Sequence, residues 1–301
     1  MRGKMHVAET STHGVEIPFI AFNGADPGPT LTVLGGVHGI ECAPVEGILR
    51  LSERIDLPHL RGKLILIPVV NVEAFHARTP YENQLDHLNQ NKVWPGEPEG
   101  SITKRIAHSL WAEVISKSDY IVDAHSADLG EDAARGVFIY NTDKPELTRR
   151  MTEMAQCFDV DYIEGTNISG NIGECVSRLS VPAVMTESGT PYPIRDRDVE
   201  WLVDGVTNLM RHLRMLPGEA VIRKVPKNPA TTRLWSRYGG AWRRKVEAGQ
   251  KVRDGEPLGV VCSLTGEKLQ TVLAPYAGTI TFLRTHYSIN EGDTILWIAR
   301  V

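Results

Sequence analysis

Four residues of this sequence are suited to hold a metal ion and move a proton beside it. His38 and Glu41 stand three residues apart in "LGGVHGIECA", a glycine-flanked stretch between an apolar, strand-like run and a helix-like one. His125 closes the run "DYIVDAH", and Glu187 lies near the end of "PAVMTESG". An HxxE pair is common by chance, so the signal is the conjunction. His38, His125 and Glu187 each follow a predicted strand, and Glu41 sits one turn beyond the first; ligand sites of open α/β sheets gather at the carboxyl ends of strands. Two imidazoles and a carboxylate are the protein ligands of a catalytic zinc site with its fourth position open. That donor set suits Zn²⁺ better than Mg²⁺ or Ca²⁺, which prefer all-oxygen cages. A cation so held polarises a carbonyl and acidifies water. Glu187 would then take up a proton and pass it to a leaving amine.

The elements that must position these groups alternate along the first two thirds of the chain. "VEIPFIAF", "TLTVLGGV", "KLILIPVVN", "DYIVDAH", "GVFIYN" and "PAVMTES" read as strands from their short apolar or alternating runs. "APVEGILRLSERI", "SITKRIAHSLWAEVISKS", "KPELTRRMTEMAQCFDV", "NIGECVSRLS" and "RDVEWLVDGVTNLMRHLRML" carry apolar residues at helical spacing, with Ser101 as an expected N-cap. Such alternation predicts an α/β layer fold around a largely buried sheet. Between residues 72 and 100 runs a long, polar, Pro- and Gly-rich segment, a kind of loop that is either functional or disordered. After "LPGEA" the pattern changes to short strands punctuated by "AGQ", "DGE", "TGE", "YAG" and "EGD". That is an all-β module, so two domains are expected, 1–219 and 220–301.

The 301 residues suffice for a substantial core without staples. The 33 Lys and Arg against 37 Asp and Glu give a formal charge of -4 and no case for a nucleic-acid partner. Cys42, Cys157, Cys175 and Cys262 are scattered, with no CxxC pair, and are expected to be reduced. No stretch approaches the roughly 20 apolar residues of a membrane span, and the first residues lack the apolar run of a signal peptide. A cytoplasmic protein with no membrane partner is the expectation, and a homodimer is a fair default.

The motifs "GGVHGIE", "PVVNVEAF", "NKVWPG", "DAHS" and "VMTESG", in this order, resemble the succinylglutamate desuccinylase/aspartoacylase family, a branch of the zinc carboxypeptidase superfamily. The resemblance covers nearly the whole chain. It implies one zinc ion on His38, Glu41 and His125, with Glu187 as the catalytic carboxylate. It implies a zinc carboxypeptidase-like α/β/α domain with a mixed eight-stranded sheet, followed by a small lipoyl-like β-sandwich. The implied reaction is hydrolysis of the amide in a small N-acyl amino acid.

The same resemblance gives the polar loop a role. The family carries there an arginine that stabilises the oxyanion and an Asn-Arg pair that grips a substrate carboxylate, within "DLNRxFPG". The matching stretch here is "NQNKVWPG", with Asn91 on the Asn and Lys92 on the Arg, while Asn89 replaces the Asp and Trp94 the Phe. Lys offers a point charge where Arg offers a fork. Arg78 is the candidate for the oxyanion arginine, and Asp86 either orients one of these cations or caps a turn. In the β module, "GEKLQTVLAPYAGTI" resembles biotinyl/lipoyl carrier domains, but the residues that normally flank the modified lysine are absent around Lys268. The expected role of the module is to wall off the zinc cleft. Two other readings stay open: a metallo-carboxypeptidase acting on peptides, and a non-catalytic zinc-binding protein on the same scaffold. Glu187 speaks against the latter, because a structural site needs no free base.

Overall fold

The computed structural model describes residues 1–300; Val301, the end of the expected β module, lies outside the described residues. In chain order the elements are β1 (Arg2–Glu9), β2 (Gly14–Asn23), β3 (Asp26–Leu34), α1 (Cys42–Arg54), β4 (Arg61–Ile67), α2 (Val72–Ala77), α3 (Ile102–Glu113), β5 (Tyr120–His125), β6 (Glu131–Tyr140), α4 (Pro145–Ala155), β7 (Tyr162–Thr166), α5 (Ile172–Arg178), β8 (Ala183–Gly189) and α6 (Asp196–His212). The β-rich part follows with β9 (Thr231–Trp235), β10 (Gly240–Arg244), β11 (Lys251–Val252), β12 (Pro257–Cys262), β13 (Lys268–Leu273), β14 (Gly278–Arg284), β15 (Ser288–Ile289) and β16 (Thr294–Ala299). The apolar runs became strands as expected. β1 and β7, polar and short of apolar alternation, were not visible in the sequence.

Eight of these strands make the expected mixed sheet, in the order β1-β2-β4-β3-β5-β8-β6 with β7 beside the far half of β6. β3, β4, β5 and β8 run parallel at its centre, which is why their sequences are almost continuously apolar. Ile48 and Leu51 of α1, Leu147 and Met151 of α4, and Leu202 and Leu209 of α6 are buried in the core on one face. Ile106 and Leu110 of α3 with Ile172 and Val176 of α5 are buried in the core on the other. Each such side chain contributes roughly 1.5–3 kcal/mol by leaving water, so helices on both faces are held by packing rather than propensity.

The sheet does not stop at β6. The first residues of β6 pair antiparallel with β14, which carries β16, β9 and β11, giving twelve strands in all. The composition change at residue 219 falls in the segment between α6 and β9. β10, β12, β13 and β15 form a separate four-stranded antiparallel sheet. It closes on β14 and β16 around Trp242, Leu258, Val261, Ile280, Leu283 and Ile298. The β module is thus a sandwich, one of whose two layers is the continuation of the central sheet. Lys268 opens β13 in register with Cys262. It therefore sits in the ladder, while the hairpin tip at 264–266 presents Leu264, 87% exposed.

The polar segment 72–100 is ordered by its own side chains. Asn71 caps α2 through Ala74 N–H and receives Asn83 Nδ2. Asn89 accepts from the backbone N–H of Asn91 at 2.8 Å, so an amide does what a carboxylate would do at that position. Asp86 accepts from the backbone N–H of Thr103 at 2.8 Å and from its hydroxyl at 2.6 Å. It caps α3 in place of Ser101, which makes no capping bond of its own. Among the described residues no helix is long and apolar enough to cross a membrane, and all four cysteines are unpaired.

Burial raises the Asp86 pKa, but hydrogen bonds from Ser101 and Thr103 outweigh it and hold the carboxyl below its usual range. Its stabilisation is complete above the unfolded pKa of about 4 and is lost as pH falls through the lower folded value. Asp86→Ala is expected to cost about 1 kcal/mol at neutral pH. In urea titrations the gap from the parent protein should shrink below about pH 4.

Candidate active site

His38 sits on a turn that only glycines allow. Gly36 has φ +57, and a Cβ on Gly39 would lie 2.2 Å from the carbonyl oxygen of Ala74. The chain therefore leaves β3, bends sharply against the loop after β4, and enters α1 with Glu41 as its N-cap residue. This answers why glycines flank the histidine: the backbone must fold back on itself within four residues to bring both side chains to the strand end. His125 ends β5, and its Cα partner on β8 is Glu187. Partners on adjacent strands project from the same face about 4.8 Å apart, so the sheet register alone sets Glu187 beside His125.

The geometry around Glu41 is tight. Its Oε1 lies 2.6 Å from His38 Nδ1, and its Oε2 lies 3.0 Å from His125 Nδ1. Oε2 also accepts from the backbone N–H of Ser126 at 3.3 Å. Ligand atoms of His38, Glu41 and His125 all fall within 4.8 Å of one another, and all three residues are buried. Asp123 Oδ1 stands 3.2 Å from His125 Nε2. A carboxylate behind a histidine fixes the ring and the tautomer, leaving the other nitrogen free to ligate. Two Nδ1 atoms and a carboxylate facing one point, with a carboxylate behind one ring, fit a divalent cation of the zinc class.

Electrostatics agree with that fit. Burial alone would push the Glu41 pKa up, yet the two imidazoles hold it down to about 2. Burial would push His125 down, but Asp123 and Glu41 raise it well above the usual imidazole range. A cation at this point would take the place of the proton that His125 holds. Glu187 shows the opposite shift. Its burial, reinforced by the charge of Glu41, pushes it up to about 8. A cation beside it would pull this value down again.

These groups open on a cavity of about 500 Å³. His38, Glu41, His125, Glu187 and Asn91 all line it. Asn91 is buried, with its Oδ1 lacking a partner. Arg78 and Lys92 do not line it. Arg78 is exposed, in a left-handed conformation at the C-cap of α2, and Lys92 is exposed on the loop surface. Several other wall residues were not singled out from the sequence. Tyr81 packs edge-on against His38, ring centres 4.9 Å apart. Asp128, Glu131 and Glu164 add carboxyl groups, and Arg233, Phe282 and Trp297 come from the β module. For Arg233 the alternation of "TTRLW" marks a strand without revealing which strand it joins.

Residues 27–213 match the family model described as the succinylglutamate desuccinylase/aspartoacylase catalytic domain. An N-alpha-acetyl-L-2,4-diaminobutyric acid deacetylase from Halomonas elongata is 27% identical over 311 residues, covering 97% of this chain and 88% of its own. The product-bound ectoine utilization protein EutE (DoeB) from Ruegeria pomeroyi superposes on 100% of this chain and 95% of its own, with a TM-score of 0.86 at 22% identity. A succinylglutamate desuccinylase/aspartoacylase from Rhodobacter sphaeroides does so over the same shares, with a TM-score of 0.85 at 21% identity. At such identities the structural likeness speaks for the fold, and the sequence match over more than half of the chain speaks for descent. The chain belongs to the succinylglutamate desuccinylase/aspartoacylase family.

Proposed function

We propose that this protein is a zinc-dependent amidohydrolase that removes the acyl group from an N-acyl amino acid or a related small amide. The observation that carries the reading is the meeting of His38, Glu41 and His125 within 4.8 Å, with Glu187 on the neighbouring strand of the same cavity. The relative from Halomonas elongata, a deacetylase of an acetylated diamino acid, supports the reaction type. The cavity wall supports a small substrate: Thr281, Phe282 and Trp297 of the β module close one side of it, whereas a peptidase for long chains needs an open groove.

In this reading the residues divide the work. A cation on His38, Glu41 and His125 supplies Lewis-acid polarisation of the amide carbonyl. Glu187 takes a proton from the attacking water and returns it to the amide nitrogen as the carbon–nitrogen bond breaks. Burial raises the Glu187 carboxyl and a cation beside it would lower it again, opposed influences that suit a group which first accepts and then donates. Asn91 orients the substrate from the cavity wall. Arg78 and Lys92 enter the proposal as loop cations that swing in from the surface, Arg78 toward the oxyanion and Lys92 toward an anionic group.

Three outcomes test this. His38→Ala should abolish both stoichiometric zinc, measured by elemental analysis, and turnover of N-acetyl and N-succinyl amino acids. Glu187→Gln should keep the metal and lose about 10²–10⁴ in kcat; undiminished turnover would remove Glu187 from its role. Zinc affinity should climb with pH, because the ion displaces the proton that His125 holds above its ordinary range. Chelator competition is expected to show roughly a tenfold gain per pH unit while that proton is still bound, and a flat profile between pH 6 and 8 would contradict the site.

A further inference from the structure

Arg233 has no role in the reaction so far, yet the fold goes to some length to bring it into the cavity. Arg233, Trp297, Phe282 and Ala133 are successive Cα partners across β9, β16, β14 and β6. A transverse row of this kind shares one face of a sheet, and all four residues line the cavity. Three strand steps of about 4.8 Å set Arg233 on the order of 14 Å along the sheet from Ala133. β9 lies four places along the sheet from β8, which carries Glu187, and among the described residues Arg233 is the one Lys or Arg lining the cavity.

Its guanidinium carbon lies 4.5 Å from the centre of the Trp297 ring. That stacking orients the fork without using its N–H groups. Among the described residues no carboxylate lies within 4.0 Å of Arg233, although Glu164 on the same wall feels its charge. The indole N–H of Trp297 is buried and lacks an acceptor. An unmet buried donor is costly, and the indole can only donate. A guanidinium fork that solvent reaches, stacked on a ring whose own N–H is unmet, offers an anion two kinds of donor on this wall of the cavity. Between them and the metal-binding end the row presents the apolar ring of Phe282.

We propose that Arg233, with the indole N–H of Trp297, is a distal anion subsite. It binds a carboxylate at the end of the substrate remote from the scissile amide, while an apolar stem lies against Phe282. The proposal rests on the deacylase reading for its substrate class and selects, within it, N-acyl compounds with a carboxylate held several carbons from the amide.

The test is equilibrium binding to the zinc-loaded full-length protein, followed by calorimetry. Succinate, glutarate and adipate are the probes and butyrate is the single-charge control. At least one dicarboxylate should bind tenfold or more tightly than butyrate. Arg233→Met should reduce that affinity to the butyrate level while leaving butyrate binding and zinc content unchanged, and Arg233→Lys should restore part of it. Trp297→Phe keeps an aromatic stack, removes the N–H, and should cost a few-fold. Equal losses for both probe types in Arg233→Met would mean that the residue merely holds the β module, and no loss in either variant would also overturn the subsite. Kinetics separate this proposal from the one beneath it. Dicarboxylate binding that depends on Arg233 without turnover of any N-acyl amide defeats the deacylase reading alone. Turnover with an unchanged KM in Arg233→Met, across N-acyl substrates with and without a distal carboxylate, defeats the subsite alone.

Discussion

A carboxylate buried between two imidazoles is the constraint to which most of this structure answers. Glu41 is removed from water, a condition that costs several kcal/mol for an uncompensated charge. It is tolerated because His38, His125 and the Ser126 N–H all reach its two oxygens. Those partners come from two places far apart in the chain, the turn after β3 and the end of β5. The glycines of the first turn and the parallel pairing of β3 with β5 are what bring them together. The same charge that organises the imidazoles also presses on Glu187 and raises it. One buried anion thereby shapes the histidine cluster and adds to the burial that raises the carboxyl beside it.

Sheet register does the remaining positioning. Glu187 faces the cavity because it pairs with His125, and Arg233 faces it because an unbroken row of partners runs from β6 to β9. A slip of one residue in either place would turn the side chain to the opposite face. The site is therefore built on strands where backbone hydrogen bonds hold it, and the polar loop adds groups that are fixed by local Asn and Asp caps.

The meeting of His38, Glu41, His125 and Glu187 at one end of the cavity was readable from the sequence, and the reason is physical. A functional group at the end of a buried parallel strand announces itself, because the strand is a conspicuous apolar run and the group lies among the first polar residues to break it, Asp123 and His125 on β5, Thr186 and Glu187 on β8. His125 and Glu187 were visible in this way, and Glu41 through its spacing from His38. Tyr81 and Arg233 were invisible for the converse reason. Tyr81 lies in an irregular loop, and Arg233 lies on a strand whose neighbour is set by pairing across 59 to 68 residues of chain. Arg78 and Lys92 show a different limit. The motif brought their segment to the cavity, but Asn91 faces inward while the adjacent Lys92 is exposed. Side-chain direction in a tight turn is not written in a motif. The shift in composition at residue 219 falls between α6 and β9; the joining of the two sheets was not visible, since nothing in "GTITFLR" specifies β6 as its partner.

The three residue pairs that join β14 to β6 make the catalytic layer and the β module a single hydrogen-bonded fabric. Lineages of this architecture are consequently poorly placed to acquire new specificity by shuffling whole modules, because a transplanted module would have to reproduce that seam. Drift at side chains on the cavity face of the seam is the easier evolutionary route. There, positions such as 233, 282 and 297 can change identity while the backbone ladder, and the histidines beyond it, stay undisturbed.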